Sequence, residues 1–215
     1  MKVAILGAEC SGKSTLAAAL AHAWPAAAGA ASGTVTVVPE LLRTWCARQG
    51  RTPRADEQAG IALAQTDAIE ACRASVVLAD TTALMTAVYS DVLLGDCSLY
   101  APALEHQRRY DLNLVCALDL PWVADGIQRD GPAVQRRVDA RLREVLDGHG
   151  LAYSMVYGQG TQRTEHALQL LLHRQGLLPD AEDGLTRWQW SCEKCSDPAC
   201  EHRLFSRLTA KAFAA

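Results

Sequence analysis

Gly7, Gly12, Lys13 and Ser14 stand at the spacing G-x-x-x-x-G-K-S, and that spacing has a definite chemistry. Glycines at both ends let the backbone turn so that its N–H groups face inward and ring the oxygens of a phosphate chain. Glu9 and Ser11 lie inside the ring. Lys13 supplies an ammonium group for the β- and γ-phosphates, the Ser14 hydroxyl is a magnesium ligand, and Thr15 is a further phosphate donor. The competing reading is a glycine turn that binds nothing. The pattern alone is silent on what receives the phosphate.

Such a loop works only between a strand and a helix. Val3 to Leu6 is a short apolar run, the mark of a buried parallel strand, and Leu16 to Leu20 is made of strong helix formers. Four more runs read as strands: Thr34 to Val38, Ser75 to Ala79, Leu112 to Leu118 and Ala152 to Tyr157. Helical patterns separate them at 55–74, 82–93, 134–146 and 162–175. Pro25, Gly29 and Gly33 are expected to break the first helix, and 94–109 reads as a loose connection. The expected fold is α/β, a doubly wound five-stranded parallel sheet over residues 1–175.

Further chemistry-bearing residues fall where such sheets bind ligands, past the strands' carboxyl ends. Glu40 and Arg43 follow the second strand and are candidates for holding the phosphate acceptor; a solvated helix-start pair is the alternative. Asp80 ends the third strand, where a carboxylate can join the magnesium shell, or else cap the next helix. Gln58 and Gln65 are candidates to face a cleft, or solvent. Tyr89 lies on the following helix. The loop after the fourth strand carries Trp122, Asp125 and Arg129, and the helix beyond it carries Arg136 and Arg137. Arginines there suit a lid that closes over transferring phosphate; a solvated basic face is the alternative.

Composition narrows the class. A net charge of −3 with 49% apolar residues argues against a broad polyanion-binding surface. No apolar run is long enough to span a bilayer, and a strand and phosphate loop take the place of a leader, so the expected location is the cytoplasm. Cys10, Cys46, Cys72, Cys97 and Cys116 are scattered and read as free thiols, mostly buried. After an acidic linker at 176–187, Cys192, Cys195, Cys200 and His202 form C-x-x-C-x-x-x-x-C-x-H within a segment at 188–215. Three thiolates and an imidazole suit a structural zinc knuckle. A dithiol pair, an iron–sulfur site and loose thiols compete. Nearby aromatics and basic residues would suit single-stranded nucleic acid, but Glu193, Asp197 and Glu201 cancel much of that charge.

Several stretches together are more selective than any one: G-A-E-C-S-G-K-S-T at 7–15, V-P-E-L-L-R at 38–43, D-T-T-A-L-M-T-A-V-Y at 80–89, Y-D-L-N-L at 110–114 and D-L-P-W-V-A-D-G at 119–126. In these residues the chain resembles the ribosylnicotinamide kinase domain of the NadR type. That family is a P-loop, AAA-type ATPase-like kinase related to nucleoside monophosphate kinases. The resemblance implies transfer of the ATP γ-phosphate to the ribose 5′-hydroxyl of nicotinamide riboside. It implies Asp80 near metal and acceptor hydroxyl, Glu40, Arg43 and Tyr89 in the acceptor region, and Trp122 to Arg129 in the lid. The chain departs from the family at Thr82, where a second Asp is frequent, and at Gln128–Arg129, where the lid arginine is displaced by one position. Two alternatives accompany this expectation: a kinase for another nucleoside or nucleotide, and an ATP-binding regulatory switch whose zinc tail engages a partner or nucleic acid.

Overall fold

A computed structural model describes residues 1–123 and 131–178. Residues 1–177 form a compact unit. Its centre is a parallel sheet of five strands, β1 (Lys2–Leu6), β2 (Val35–Val38), β3 (Val76–Asp80), β4 (Leu112–Cys116) and β5 (Ser154–Val156), in the order β2-β3-β1-β4-β5. Because the chain starts in the middle and builds outward both ways, the carboxyl ends of β3, β1 and β4 lie side by side at the sheet's centre. Ile5 of β1 is level with Asp80 of β3.

The alternation of β1 sorts the helices into two layers. Val3 and Ile5 pack with Leu16, Leu20 and Trp24 of α1 (Lys13–Ala28) and with Ala167 and Leu171 of α7 (Gly160–Arg174). Ala4 and Leu6 face the other way. They join Leu84 and Val88 of α4 (Ala83–Leu94), Leu104 of α5 (Tyr100–Gln107) and Leu142 of α6 (Pro132–Gly148). Two more helices, α2 (Leu41–Gln49) and α3 (Ala55–Ala71), carry the chain from β2 back to β3.

Three expectations need correction. The first helix does not break at Pro25 but runs to Ala28. Pro25 is exposed, so the backbone bond it removes is lost on the solvated side, while Trp24 beside it is buried and anchors the turn, donating Nε1–H to the Ser32 carbonyl at 2.8 Å. The connection 94–109 contains α5. Its Pro102 sits in the helix's first turn, where no intrahelical N–H is needed. Of the scattered cysteines, Cys46 and Cys116 are buried, Cys10 and Cys72 half-buried and Cys97 exposed, so burial is less general than expected.

One buried polar chain ties the layers near the sheet's centre. The Thr82 hydroxyl accepts the Leu84 N–H at 3.3 Å, capping α4, and donates to Gln107 Oε1 at 2.7 Å. Gln107 Nε2 donates to Asn113 Oδ1 at 2.7 Å, and Asn113 Nδ2 to the Ala152 carbonyl at 2.9 Å. Thr82 therefore does a structural task where the family often carries a carboxylate. Thr82→Val removes the cap and strands a buried amide oxygen. Urea denaturation is expected to register a loss of about 2 kcal/mol.

Candidate active site

The first helix begins without any side chain to cap it. Gly12, its N-cap, is in the left-handed region at φ +81, and no side chain bonds the helix start. Leu16 N–H reaches the Gly12 carbonyl at 2.9 Å, so the helical ladder begins there. The N–H groups of Lys13, Ser14 and Thr15 precede the ladder and point to the helix's positive end. They open on a small hollow of about 100 Å³ lined by Cys10 to Thr15 and by Arg43. Gly7, at φ +142, permits the loop's close approach to β4: a Cβ there would lie 2.8 Å from Ser11 Oγ and 3.1 Å from the Cys116 carbonyl oxygen. Ser11 Oγ donates to the Ala8 carbonyl at 2.7 Å. The buried Lys13 ammonium donates to the Gly7 and Ala8 carbonyls, both at 2.9 Å. Anion binding is what these groups are arranged to do.

Beside the loop, Asp80 is buried at the end of β3, and its Oδ1 accepts no hydrogen bond among the described residues. Thr81, next in the chain, holds φ +82, a strained value for a β-branched residue, with its N–H on the Ile5 carbonyl at 3.1 Å. A shielded carboxylate oxygen with no donor suits a hydrated divalent cation. The Ser14 hydroxyl is likewise a hard oxygen of the kind magnesium takes. Among the described residues no group of three His, Cys, Asp or Glu side chains is placed to hold a metal unaided.

A second cavity, a cleft of about 180 Å³, adjoins the hollow, and Cys10, Lys13 and Arg43 line both. Glu40, Cys46, Gln58 and Tyr89 also line the cleft, so Glu40, Arg43 and Tyr89 border one cavity. Glu40 pairs with Arg43 at 3.3 Å. It is held from behind by Gln65, whose Oε1 accepts the Leu41 N–H at 2.8 Å and whose Nε2 donates to the Pro39 carbonyl at 3.2 Å. Gln65 therefore holds the backbone on either side of Glu40 from within the fold, and is not in the lining of the cleft. Burial, then the Glu40 carboxylate, pushes the Cys46 thiol up, which makes it a poor nucleophile.

Glu9 proves to be a tie between elements. Its carboxylate accepts from Trp122 Nε1 at 3.4 Å and from Gly131 N–H at 3.2 Å. Its own N–H donates to the Tyr89 hydroxyl at 2.9 Å, and its carbonyl accepts from the buried Gln135 Nε2 at 2.8 Å. Cys10 Sγ and the Val123 backbone are within 3.1 Å. Trp122 is thus fixed to the phosphate loop. Arg136 is exposed on α6, and Arg137 donates to the Val92 carbonyl at 3.0 Å. Asp125 and Arg129 lie outside the described residues, as do Cys192, Cys195, Cys200 and His202.

Sequence reasoning missed Arg163. The residue opens α7, where an arginine reads as solvated, yet it is buried behind the phosphate loop. Nη1 donates to Asp119 Oδ1 at 2.6 Å and the Gly158 carbonyl at 2.9 Å; Nη2 donates to the Ser11 carbonyl at 2.8 Å and the Ala117 carbonyl at 3.3 Å. The available signal was Asp119, a carboxylate three residues past the end of β4.

The family model described as AAA domain matches residues 2–163. No curated protein matches the sequence. Among solved structures, NadR protein in complex with NAD and AMP-PNP superposes with TM-score 0.63 at 20% identity, over 84% of this chain and 51% of that one. NadR protein in complex with NR gives 0.65 at 19%, over 84% and 52%. The chain spans about half the length of these two proteins. Thymidylate kinase from Ehrlichia chaffeensis gives 0.59 at 13%, over 80% and 98%. At such identities the likeness is one of fold.

Proposed function

The chain belongs to the AAA domain family, and from that premise we propose that it is an ATP-dependent nucleoside kinase that phosphorylates the ribose 5′-hydroxyl of nicotinamide riboside. The observation that carries the proposal is the adjacency of two cavities, one suited to phosphate and one to an organic acceptor, with Cys10, Lys13 and Arg43 in the lining of both. The reaction would take place at that junction.

The new bond joins the acceptor's 5′-oxygen to the γ-phosphorus, and the bond from that phosphorus to ADP breaks. The backbone N–H groups at the start of α1 and the Lys13 ammonium hold the phosphate oxygens as charge shifts onto ADP. Ser14 and Asp80 would hold magnesium, which would supply positive charge to neutralise the phosphates. Asp80 or Glu40 orients the hydroxyl and takes its proton; Glu40 lines the cleft itself, and Arg43 holds its carboxylate in place. Arg129 and Arg136 would act from the lid. The reading places the protein in the cytoplasm, where ATP is supplied; among the described residues no helix is long and apolar enough to cross a membrane.

Incubation with ATP, magnesium and a panel of nucleosides tests the activity. Phosphorylated nicotinamide riboside is the expected product, and a panel in which no member consumes ATP above background would remove the kinase. Asp80→Asn should lower kcat by about 10²–10³-fold. Its melting temperature should be no lower than wild type, because Oδ1 has no partner to lose among the described residues. For the Cys/His tail, we expect one zinc per chain, and a clear loss of zinc in Cys195→Ser by metal analysis. Equal metal in both would take the knuckle out of the account.

A further inference from the structure

Two glutamines on α3 have had opposite fates. Both Gln58 and Gln65 are buried. Gln65 spends both ends of its amide on the backbone around Glu40. Gln58, two turns earlier, is only 7% exposed, lines the cleft, and has an Oε1 that accepts nothing among the described residues. Shielding an amide oxygen from water without giving it a donor opposes folding. A glutamine kept for packing or for holding the backbone would resemble Gln65. One that destabilises the fold and faces a cleft is built for a ligand.

Chemistry specifies what that ligand must offer. A glutamine side chain presents one acceptor and an adjacent donor in a plane, and its complement is a group with an N–H beside a carbonyl. We propose that Gln58 is the specificity-determining residue of the acceptor cleft, accepting an N–H from a primary carboxamide on the acceptor's ring and donating to its carbonyl. This rests on the nucleoside kinase reading and names the feature of the acceptor that is recognised. A carboxylate in the same position offers two acceptors and a negative charge. One of its oxygens would face Gln58 Oε1 with no proton between them, and the Glu40 carboxylate in the same lining adds repulsion. The cleft therefore selects the amide over the acid.

The experiment compares kcat/KM for nicotinamide riboside and nicotinic acid riboside in wild type, Gln58→Leu and Gln58→Glu. Wild type should favour the amide by at least about tenfold. In Gln58→Leu the preference should shrink to within about threefold, mainly through a higher KM for the amide, with KM for ATP unchanged. Gln58→Glu, which accepts but cannot donate, should keep the preference at or above the wild-type ratio while turning the amide over more slowly. Gln58→Leu should also melt no lower than wild type, since no protein group loses a partner. A lower melting temperature would mark Gln58 as structural and overturn the assignment. So would an unchanged ratio in Gln58→Leu, or a wild-type ratio near one, while nicotinamide riboside is still phosphorylated; in those cases the kinase stands without it. Absence of product from either nucleoside in wild type removes the kinase and this assignment together.

Discussion

Replacing Lys13 by alanine is expected to lower kcat/KM by about 10³-fold and to leave the fold standing. The ammonium is buried, starts the helix whose N–H groups face the hollow, and lines both cavities. Two of its three donors rest on the Gly7 and Ala8 carbonyls, so the group is held in place before any phosphate arrives. Positioning of that kind is what makes a charge effective in a transition state, because nothing need reorganise when the phosphoryl group moves. Lys13→Arg should not rescue. The guanidinium is larger and planar where the ammonium is a compact point charge, and its bulk would enter a hollow of about 100 Å³. The fold should lose only about 1 kcal/mol, since the Ala8 carbonyl keeps the Ser11 hydroxyl as its donor. Steady-state kinetics and thermal melting on the same preparations check both halves, and full activity in Lys13→Ala would dismiss the phosphate loop as the reaction's centre.

Arg163→Met should have the largest effect on stability. Four acceptors lose their donor together, one of them a carboxylate, inside a site where Arg163 is only 5% exposed. Breaking a buried pair in this way costs about 3–5 kcal/mol, and the lower end applies because Asp119 is partly exposed and can rehydrate. A loss of about 3 kcal/mol corresponds to a fall of roughly 6–12 °C for a domain of this size. The Ser11 carbonyl is also released, so KM for ATP should rise by about tenfold even at temperatures where the variant is folded. A pH signature accompanies the change. Burial pushes Asp119 up, but the Arg163 guanidinium and the Gly158 N–H outweigh it and hold the carboxyl below its ordinary value of 3.8. A depressed carboxylate contributes stability above its unfolded value, and that contribution is lost as pH falls through the folded one. The gap between wild type and Arg163→Met should therefore be widest at neutral pH and narrow in acid, which denaturant titrations at several pH values would show.

The strands were readable because each is a compact apolar or β-branched run, and the phosphate loop because its function fixes both residue types and spacing. The placement of Glu40 and Asp80 at strand ends was readable as well, since parallel strands deliver their carboxyl ends to one edge. What escaped was governed by context. Pro25 and Pro102 are breakers by type, but one is exposed on the helix surface and the other sits in a first turn. Glu9 looked like a phosphate-loop residue. Its ties to Trp122 and Gly131 cross more than a hundred positions, and no local pattern reports such a distance. Gln58 and Gln65 share type, helix and burial, but Gln65 meets backbone with both ends of its amide while Gln58 lines the cleft.

Arg163 also imposes an order on synthesis. The nucleotide-gripping segment leaves the ribosome among the first fifteen residues, but the guanidinium that braces it comes about a hundred and fifty residues later, with acceptors at Ala117, Asp119 and Gly158 in between. A nascent chain stalled before α7 carries every residue of the motif and still lacks the strut that shapes it. Competence to take up ATP should therefore arrive late and abruptly, when the seventh helix emerges and closes over the sheet.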